Sequence, residues 1–287
     1  MLNAFRRMDL FTKICAIWLA IVALLALIGP FLPLPDPREA DFDAPGVKLF
    51  SPGHFLGTDS NGYDLFSNVV NGSRVSLMIA LVSVFVGGLI GSTIGIISAY
   101  VRGKFDTVVS TMFNIILSIP NLVLGLSLVA VLATSADPSI PIPANRRIFV
   151  IMLSLTFVII PILGRIARGA TLAWVNREFV VAARSMGMRD KDIIFKHIVP
   201  NVLPAIYSVG FLAIGVVIVA EGALSLLGVG VVDGVSWGAM ISRVAGEFTY
   251  TPHSMYVPVT VLALTVIACN QIGDYFRSRL DMREGKI

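Results

Sequence analysis

The sequence is short of charge. Of its 287 residues only 14% are Asp, Glu, Lys or Arg, while 56% are hydrophobic. Soluble domains carry about 25% charged residues, so the composition excludes an ordinary water-soluble fold. Cysteine is nearly absent. Cys15 and Cys269 both fall inside apolar runs, and there is no Cys-x-x-Cys or Cys/His cluster. That excludes a disulfide framework and the common zinc patterns, so no metal is expected. The three histidines, His54, His197 and His253, lie far apart, and no nucleophile–base pair supports an intramembrane hydrolase. A phosphate loop of the form Gly-x-x-x-x-Gly-Lys-Ser/Thr is missing, so the chain is expected to hold no nucleotide and no other cofactor. No strong internal repeat is present, which weighs against inverted-repeat transporter folds. The net charge of +4 reads as loop charge beside a membrane, not as a nucleic-acid surface.

What the sequence does have is long apolar runs, and in lipid these must be helices, because the bilayer satisfies no backbone N–H or C=O group. Six spans are expected, roughly Ile14–Pro33, Val75–Val101, Thr107–Ala133, Ile148–Ile166, Ala205–Leu227 and Val257–Phe276. Each can cross a hydrocarbon core of about 30 Å. Arg6, Arg7 and Lys13 precede the first run, which is longer than a signal-peptide core and ends in Pro-Leu-Pro-Asp-Pro, so it reads as a retained anchor. With both termini cytoplasmic, 16 basic residues lie inside and 6 outside, the asymmetry that sets orientation.

Residues Leu34–Arg74 form the longest outer segment, acidic and too rich in Pro and Gly for a packed domain. Within it Asp59–Asp64 has the look of a calcium loop, but Gly62 comes fourth and Val70 stands where the closing Glu belongs, so a structural turn is expected. Gly87, Gly91 and Gly95 form a small-residue stripe that permits close helix packing, within the chain or against a partner. Asn114, Pro120 and Asn121 interrupt the third span, which should kink there and whose polar groups are candidates to line a pathway. Glu221 is a lone carboxylate in an apolar run. It must face protein or water, as a proton relay, a substrate contact or a hydrogen-bonded structural group.

The most informative segment is Arg177–Pro204, REFVVAARSMGMRDKDIIFKHIVPNVLP. Interhelical connections are commonly about 2–8 residues, so a polar loop of this length needs a reason. Glu178–Met186 are good helix formers and Gly187 is placed to end that helix. Asp190 and Asp192 open a second helix with Lys196 and His197 near its end, the charge order the helix dipole prefers. Pro200 and Pro204 mark the boundary with the fifth span. Helix–turn–helix with small residues at the bend suits a knob entering a partner's groove.

This segment resembles the cytoplasmic Glu-Ala-Ala loop of ABC importer permeases. Ala182, Ala183, Gly187 and Pro200 fall at the spacing of that motif, while Val181 replaces its Glu and Glu178 lies one helical turn earlier. Other stretches are similar to the peptide and nickel subfamily: Phe55–Asp64 (Tyr63 in place of Arg), Gly72–Leu77, Ala220–Gly228 and Ser236–Met240. Together they cover roughly residues 55–280 and look most like the C-type permease of dipeptide and oligopeptide systems. The resemblance implies an all-α, multi-pass bacterial inner-membrane protein with the type I ABC importer fold. Residues 1–74 would form an anchor and outer loop, 75–280 the permease core with its coupling loop at 177–204, and 281–287 a cytoplasmic tail. It also implies a second permease, two cytoplasmic ATPases that supply hydrolysis, and an external substrate-binding protein. The ATPase contact would centre on Glu178, Ala182, Ala183, Met186, Gly187 and Arg189. A nickel or other small-solute importer is the neighbouring alternative. A proton-coupled transporter using Glu221 as relay is the rival from another class.

Overall fold

The computed structural model describes residues 8–133, 143–231, 235–246 and 248–284, with side chains through residue 278. Arg6, Arg7 and Lys286, and the side chains of Arg279 and Arg283, lie outside the described residues, as do residues 285–287 of the 281–287 tail. The described residues are all-α, with two isolated β-bridges and no strand. The helices are α1 (Leu10–Ile28), α2 (Leu65–Val101), α3 (Gly103–Ser118), α4 (Asn121–Leu132), α5 (Ala144–Trp174), α6 (Glu178–Ser185), α7 (Asp190–Ile193), α8 (Val199–Leu226), α9 (Trp237–Val244) and α10 (Pro252–Glu284).

Five helical stretches are long and apolar enough to cross a membrane, and the bent pair α3–α4 makes a sixth crossing if taken as one span. Each observed helix starts earlier or ends later than its apolar run, and at α1 and α2 a capping aspartate rather than hydropathy sets the start. Asp9 accepts the Thr12 N–H and hydroxyl and so caps α1; these bonds, the hydroxyl's first, hold its carboxyl below the usual carboxylate range. Asp64 accepts the Ser67 N–H at 2.7 Å and starts α2 ten residues before the expected Val75. The boundary expected at 74/75 therefore falls inside α2. Its first turns carry Ser67, Asn68 and Ser73, which hide the helix from a hydropathy reading. In the fold these polar groups are buried against main-chain carbonyls, Ser67 on Pro35 and Asn68 on Pro37 and Asp64.

The third span does more than kink. Pro120 forces Ile119 into extended backbone (φ −84°, ψ 129°), and α3 and α4 meet at 88°. α2 and α5 form the tightest pair of the bundle. A Cβ on Gly91 would collide with the Ile160 backbone, and one on Gly95 with the Gly164 carbonyl. The glycine stripe is thus used within the chain, letting two backbones touch.

The segment between α1 and α2, though short of regular structure, is held at specific points. Asp59 accepts the N–H groups of Asn61 and Tyr63, and Gly62 takes φ +89°, so Asp59–Asp64 is a structural turn. Thr58 is fully buried, bonded to Ala44 O and Val47 N. His253 Nε2 at the start of α10 meets the carbonyls of Val47 and Thr58 at 2.9 and 3.0 Å. Arg243 of α9 lies 4.1 Å over the Tyr63 ring and 3.6 Å from Asp59.

Candidate functional site

The loop between α5 and α8 is built as two arms around one turn. α6 ends at Gly187, whose φ of +78° only glycine adopts without strain. The Met188 N–H bonds Ala183 O and the Gly187 N–H bonds Arg184 O, a reciprocal pair that satisfies the last carbonyls of the helix. The second arm is not bounded by the prolines. α7 runs through a π-helical turn, Ile194–Ile198, directly into α8. Pro200 has no N–H and its ring crowds the preceding turn; the wider π turn, closed by Val199 N–H to Ile194 O, gives it room. Asp190–Leu226 is consequently one apolar-enough helical stretch of 37 residues.

The loop is seated by an apolar layer. Val180, Ala183, Ile193 and Ile198 pack with Ile96 of α2 and with Ala167 and Val175 at the end of α5. Ala183 is therefore buried, at 2% exposure, and stands apart from the other residues singled out above. Glu178, Ala182, Met186, Gly187 and Arg189 are exposed, Met186 at 78%. Phe179, Val181 and Phe195 are exposed with them. These three escape a motif reading because only the helix phase shows which apolar residues face out. Val181, in the place of the motif's Glu, makes the free face more apolar. A Cβ on Gly187 would meet no atom within 4 Å, so none of the described residues covers the turn.

Polar ties fix the loop to the bundle. Tyr100, one residue before the end of α2, donates its hydroxyl to Asp190 Oδ1 at 2.5 Å. Arg184 lies over the same ring, 5.4 Å from its centroid. The Tyr100 hydroxyl beside it pushes the Arg184 pKa above its ordinary value. Arg102, in left-handed backbone at the α2–α3 hairpin, donates to Asn176 Oδ1 at 2.8 Å. Arg168 of α5 holds Asp106 of α3 in a two-point ion pair, 2.6 and 2.7 Å.

Glu221 of α8 sits at 1% exposure in a closed polar nest. Ser236, Ser225 and Ser76 donate to it at 2.7, 3.1 and 3.4 Å. Ser76 in turn accepts the Trp237 N–H, and the Trp237 indole N–H reaches Val69 O. A Cβ on Gly238 would lie 2.9 Å from both carboxylate oxygens, so only glycine fits there. The carboxylate thus joins α2, α8 and α9 at one point. Asn114, Pro120 and Asn121 lie elsewhere, exposed along the bent α3–α4 pair among Met112, Ile115 and Leu122. The four residues proposed for a pathway are not brought together within this chain. Among the described residues no group of His, Cys, Asp and Glu is arranged to hold a metal ion.

Residues 91–286 match the family described as binding-protein-dependent transport system inner membrane component. The oligopeptide transport system permease protein OppC of Haemophilus influenzae is 34% identical over 93% of this chain and 82% of its own length. The dipeptide transport system permease protein DppC of Alkalihalophilus pseudofirmus is 31% identical over 94% and 86%. The glutathione transport system permease protein GsiD of Pectobacterium atrosepticum is 33% identical over 80% and 73%. In fold the chain is similar to an inward-facing structure of the MetNI methionine ABC transporter (TM-score 0.59, 21% identity), covering 74% of this chain and 95% of that one. The chain belongs to the binding-protein-dependent transport system inner membrane components, the permease subunits of ABC importers.

Proposed function

We propose that this chain forms half of the translocation pathway of an ATP-driven peptide importer, with α6, the Gly187 turn and α7 as the element that docks a cytoplasmic ATPase. The observation that carries the docking reading is the turn itself. It is capped and seated from below, yet its outer face is open and apolar at Phe179, Val181 and Met186. An exposed apolar patch on a rigid element marks an interaction site. Both termini lie in the cytoplasm in this reading, which puts the turn on the side where ATP is. A homologous permease covers the exposed α3–α4 face, bringing Asn114, Pro120 and Asn121 toward a shared pathway. An external binding protein delivers the substrate. ATP closes the two ATPases, the two loops approach each other, and the helices pass from inward- to outward-facing, a two-state change biased by nucleotide. Short peptides are the substrate class because similar permeases are named for dipeptides, oligopeptides and glutathione, itself a peptide. Glu221 serves as a structural tie rather than a proton relay or a pathway group.

The test is co-purification from mild detergent, comparing the intact chain with Met186→Glu and Gly187→Glu. Met186 is exposed, so its substitution leaves the fold untouched and changes only the free face. The intact chain is expected to bring an ATPase pair and a second permease, and both variants to lose the ATPases. Uptake of nickel without uptake of any peptide would overturn the substrate assignment. Undiminished ATPase capture by Met186→Glu would overturn the docking face.

A further inference from the structure

We infer that Tyr100 is the positioning residue that passes movement of the Gly187 turn into α2, and along α2 to the outer face; this rests on the docking reading above.

Three observations carry it. First, Tyr100 grips both arms of the turn at once. Arg184 comes three residues before Gly187 and Asp190 three after it. The Tyr100 ring takes the first and its hydroxyl the second. The phenol spans the base of the turn, so the turn cannot tilt on either arm without moving Tyr100. Second, the remaining contacts beneath the turn are apolar, from Val180, Ala183, Ile193 and Ile96. Apolar packing is non-directional and permits sliding. A hydrogen bond to a carboxylate and a guanidinium over an aromatic face fix direction and register. The other polar tie, Arg102 to Asn176, meets the foot of the loop next to α5, not the turn.

Third, α2 is suited to carry a displacement. It is unbroken over 37 residues, about 55 Å at the helical rise. Gly87, Gly91 and Gly95 hold it backbone to backbone against α5, so it moves as part of a stiff pair. At its far end the cap Asp64 is bonded to His54 of the outer segment, Nδ1 to Oδ2 at 2.8 Å. A pull on Tyr100 is delivered at Asp64 and the Asp59–Asp64 turn. Tyr100 touches no substrate or nucleotide in this account; it acts through Arg184 and Asp190.

The experiment uses the assembled importer, with its ATPases and second permease, carrying Asn61→Cys as a reporter on the exposed outer turn. The native cysteines are both buried. The rate of labelling by a membrane-impermeant maleimide is measured without nucleotide and with ATP plus vanadate. Nucleotide is expected to change that rate in the parent. Tyr100→Phe keeps the ring under Arg184 but loses the bond to Asp190, and is expected to shrink the nucleotide effect about tenfold. Asp190→Ala, which removes the acceptor, is expected to shrink it by a similar factor, and the double variant to do no worse than either alone. In Tyr100→Phe, whose substitution lies on α2 outside the docking element, ATPase co-purification and melting temperature should stay at parent values, which separates transmission from docking and folding. Full nucleotide response in Tyr100→Phe, additive losses in the double variant, or a parent whose outer turn ignores nucleotide would each overturn the inference. Failure of the parent to capture ATPases would instead overturn the docking reading on which it stands.

Discussion

Substituting alanine along the glycine stripe of α2 has consequences that can be ranked atom by atom. At Gly91 the new methyl collides with the carbonyl oxygen of Ile160, 3.0 Å from its carbon and 3.1 Å from Gly164 N. Gly95 is equivalent one turn on, against Gly164 and Arg168 N. All these obstacles are backbone, so no rotamer change relieves them and α2 must move away from α5. Gly88 differs, because its methyl meets only Leu163 Cδ1, the end of a side chain that can turn aside. Gly169 and Gly210, inside α5 and α8, meet nothing within 4 Å.

Overfilling a packed interface costs about 1–3 kcal/mol. Replacing glycine by alanine inside a helix returns about 1 kcal/mol. The net expectation is a loss of up to about 2 kcal/mol for Gly91→Ala and Gly95→Ala, near neutrality for Gly88→Ala, and a gain of up to about 1 kcal/mol for Gly169→Ala. At about 2–4 °C per kcal/mol, the extremes should differ by several degrees in thermal unfolding, followed by tryptophan fluorescence in a single detergent. The reasoning is refuted if Gly91→Ala melts at or above the parent, or if Gly88→Ala is the more damaging of the two.

Other substitutions probe the polar contacts. Glu221→Ala strands three seryl hydroxyls and should cost about 2–4 kcal/mol in thermal unfolding, each unpaired group contributing about 1–3 kcal/mol before partial relaxation. Glu221→Gln keeps an acceptor oxygen in the nest and should remain folded and active in uptake; a folded Glu221→Gln with no uptake would revive the proton relay. Asp106→Asn removes the two-point ion pair with the partly buried Arg168 and should lower stability by about 1–3 kcal/mol, with added salt narrowing the gap; an unchanged melting temperature would show that the pair is cosmetic. In the same assay Asp64→Ala should lower stability by about 1–2 kcal/mol, since it removes the cap of α2 together with the His54 contact; a parent-like melt would mean that α2 starts elsewhere.

How much of this was legible beforehand depended on whether one residue or several decided the feature. Gly187 could be read as a helix terminator from composition alone, because a left-handed turn after good helix formers has one economical solution. The break at Pro120 could be foreseen in kind but not in size: proline predicts a kink, whereas the extended Ile119 turns it into a right-angle junction. Pro200 misled for the complementary reason. A proline normally closes a helix, but here a π turn absorbs it, and the sequence carries no separate signal for that turn. The start of α2 was hidden because Ser67 and Asn68 look like loop residues until their carbonyl partners in a distant segment, Pro35 and Pro37, are known. Glu221 shows the same limit from the other side. Its carboxylate is conspicuous in the chain, yet its three hydroxyl partners come from α2, from α8 itself and from the residue before α9, up to 145 positions away. Tyr100 was not singled out at all, since an aromatic residue near the end of a membrane helix usually means an interface anchor. Only the folded chain places Arg184 and Asp190 on it together and turns that anchor into the grip on the Gly187 turn. Residues that act by their own backbone preference are therefore readable one at a time, while those that act by partnership appear only once the fold has supplied the partner.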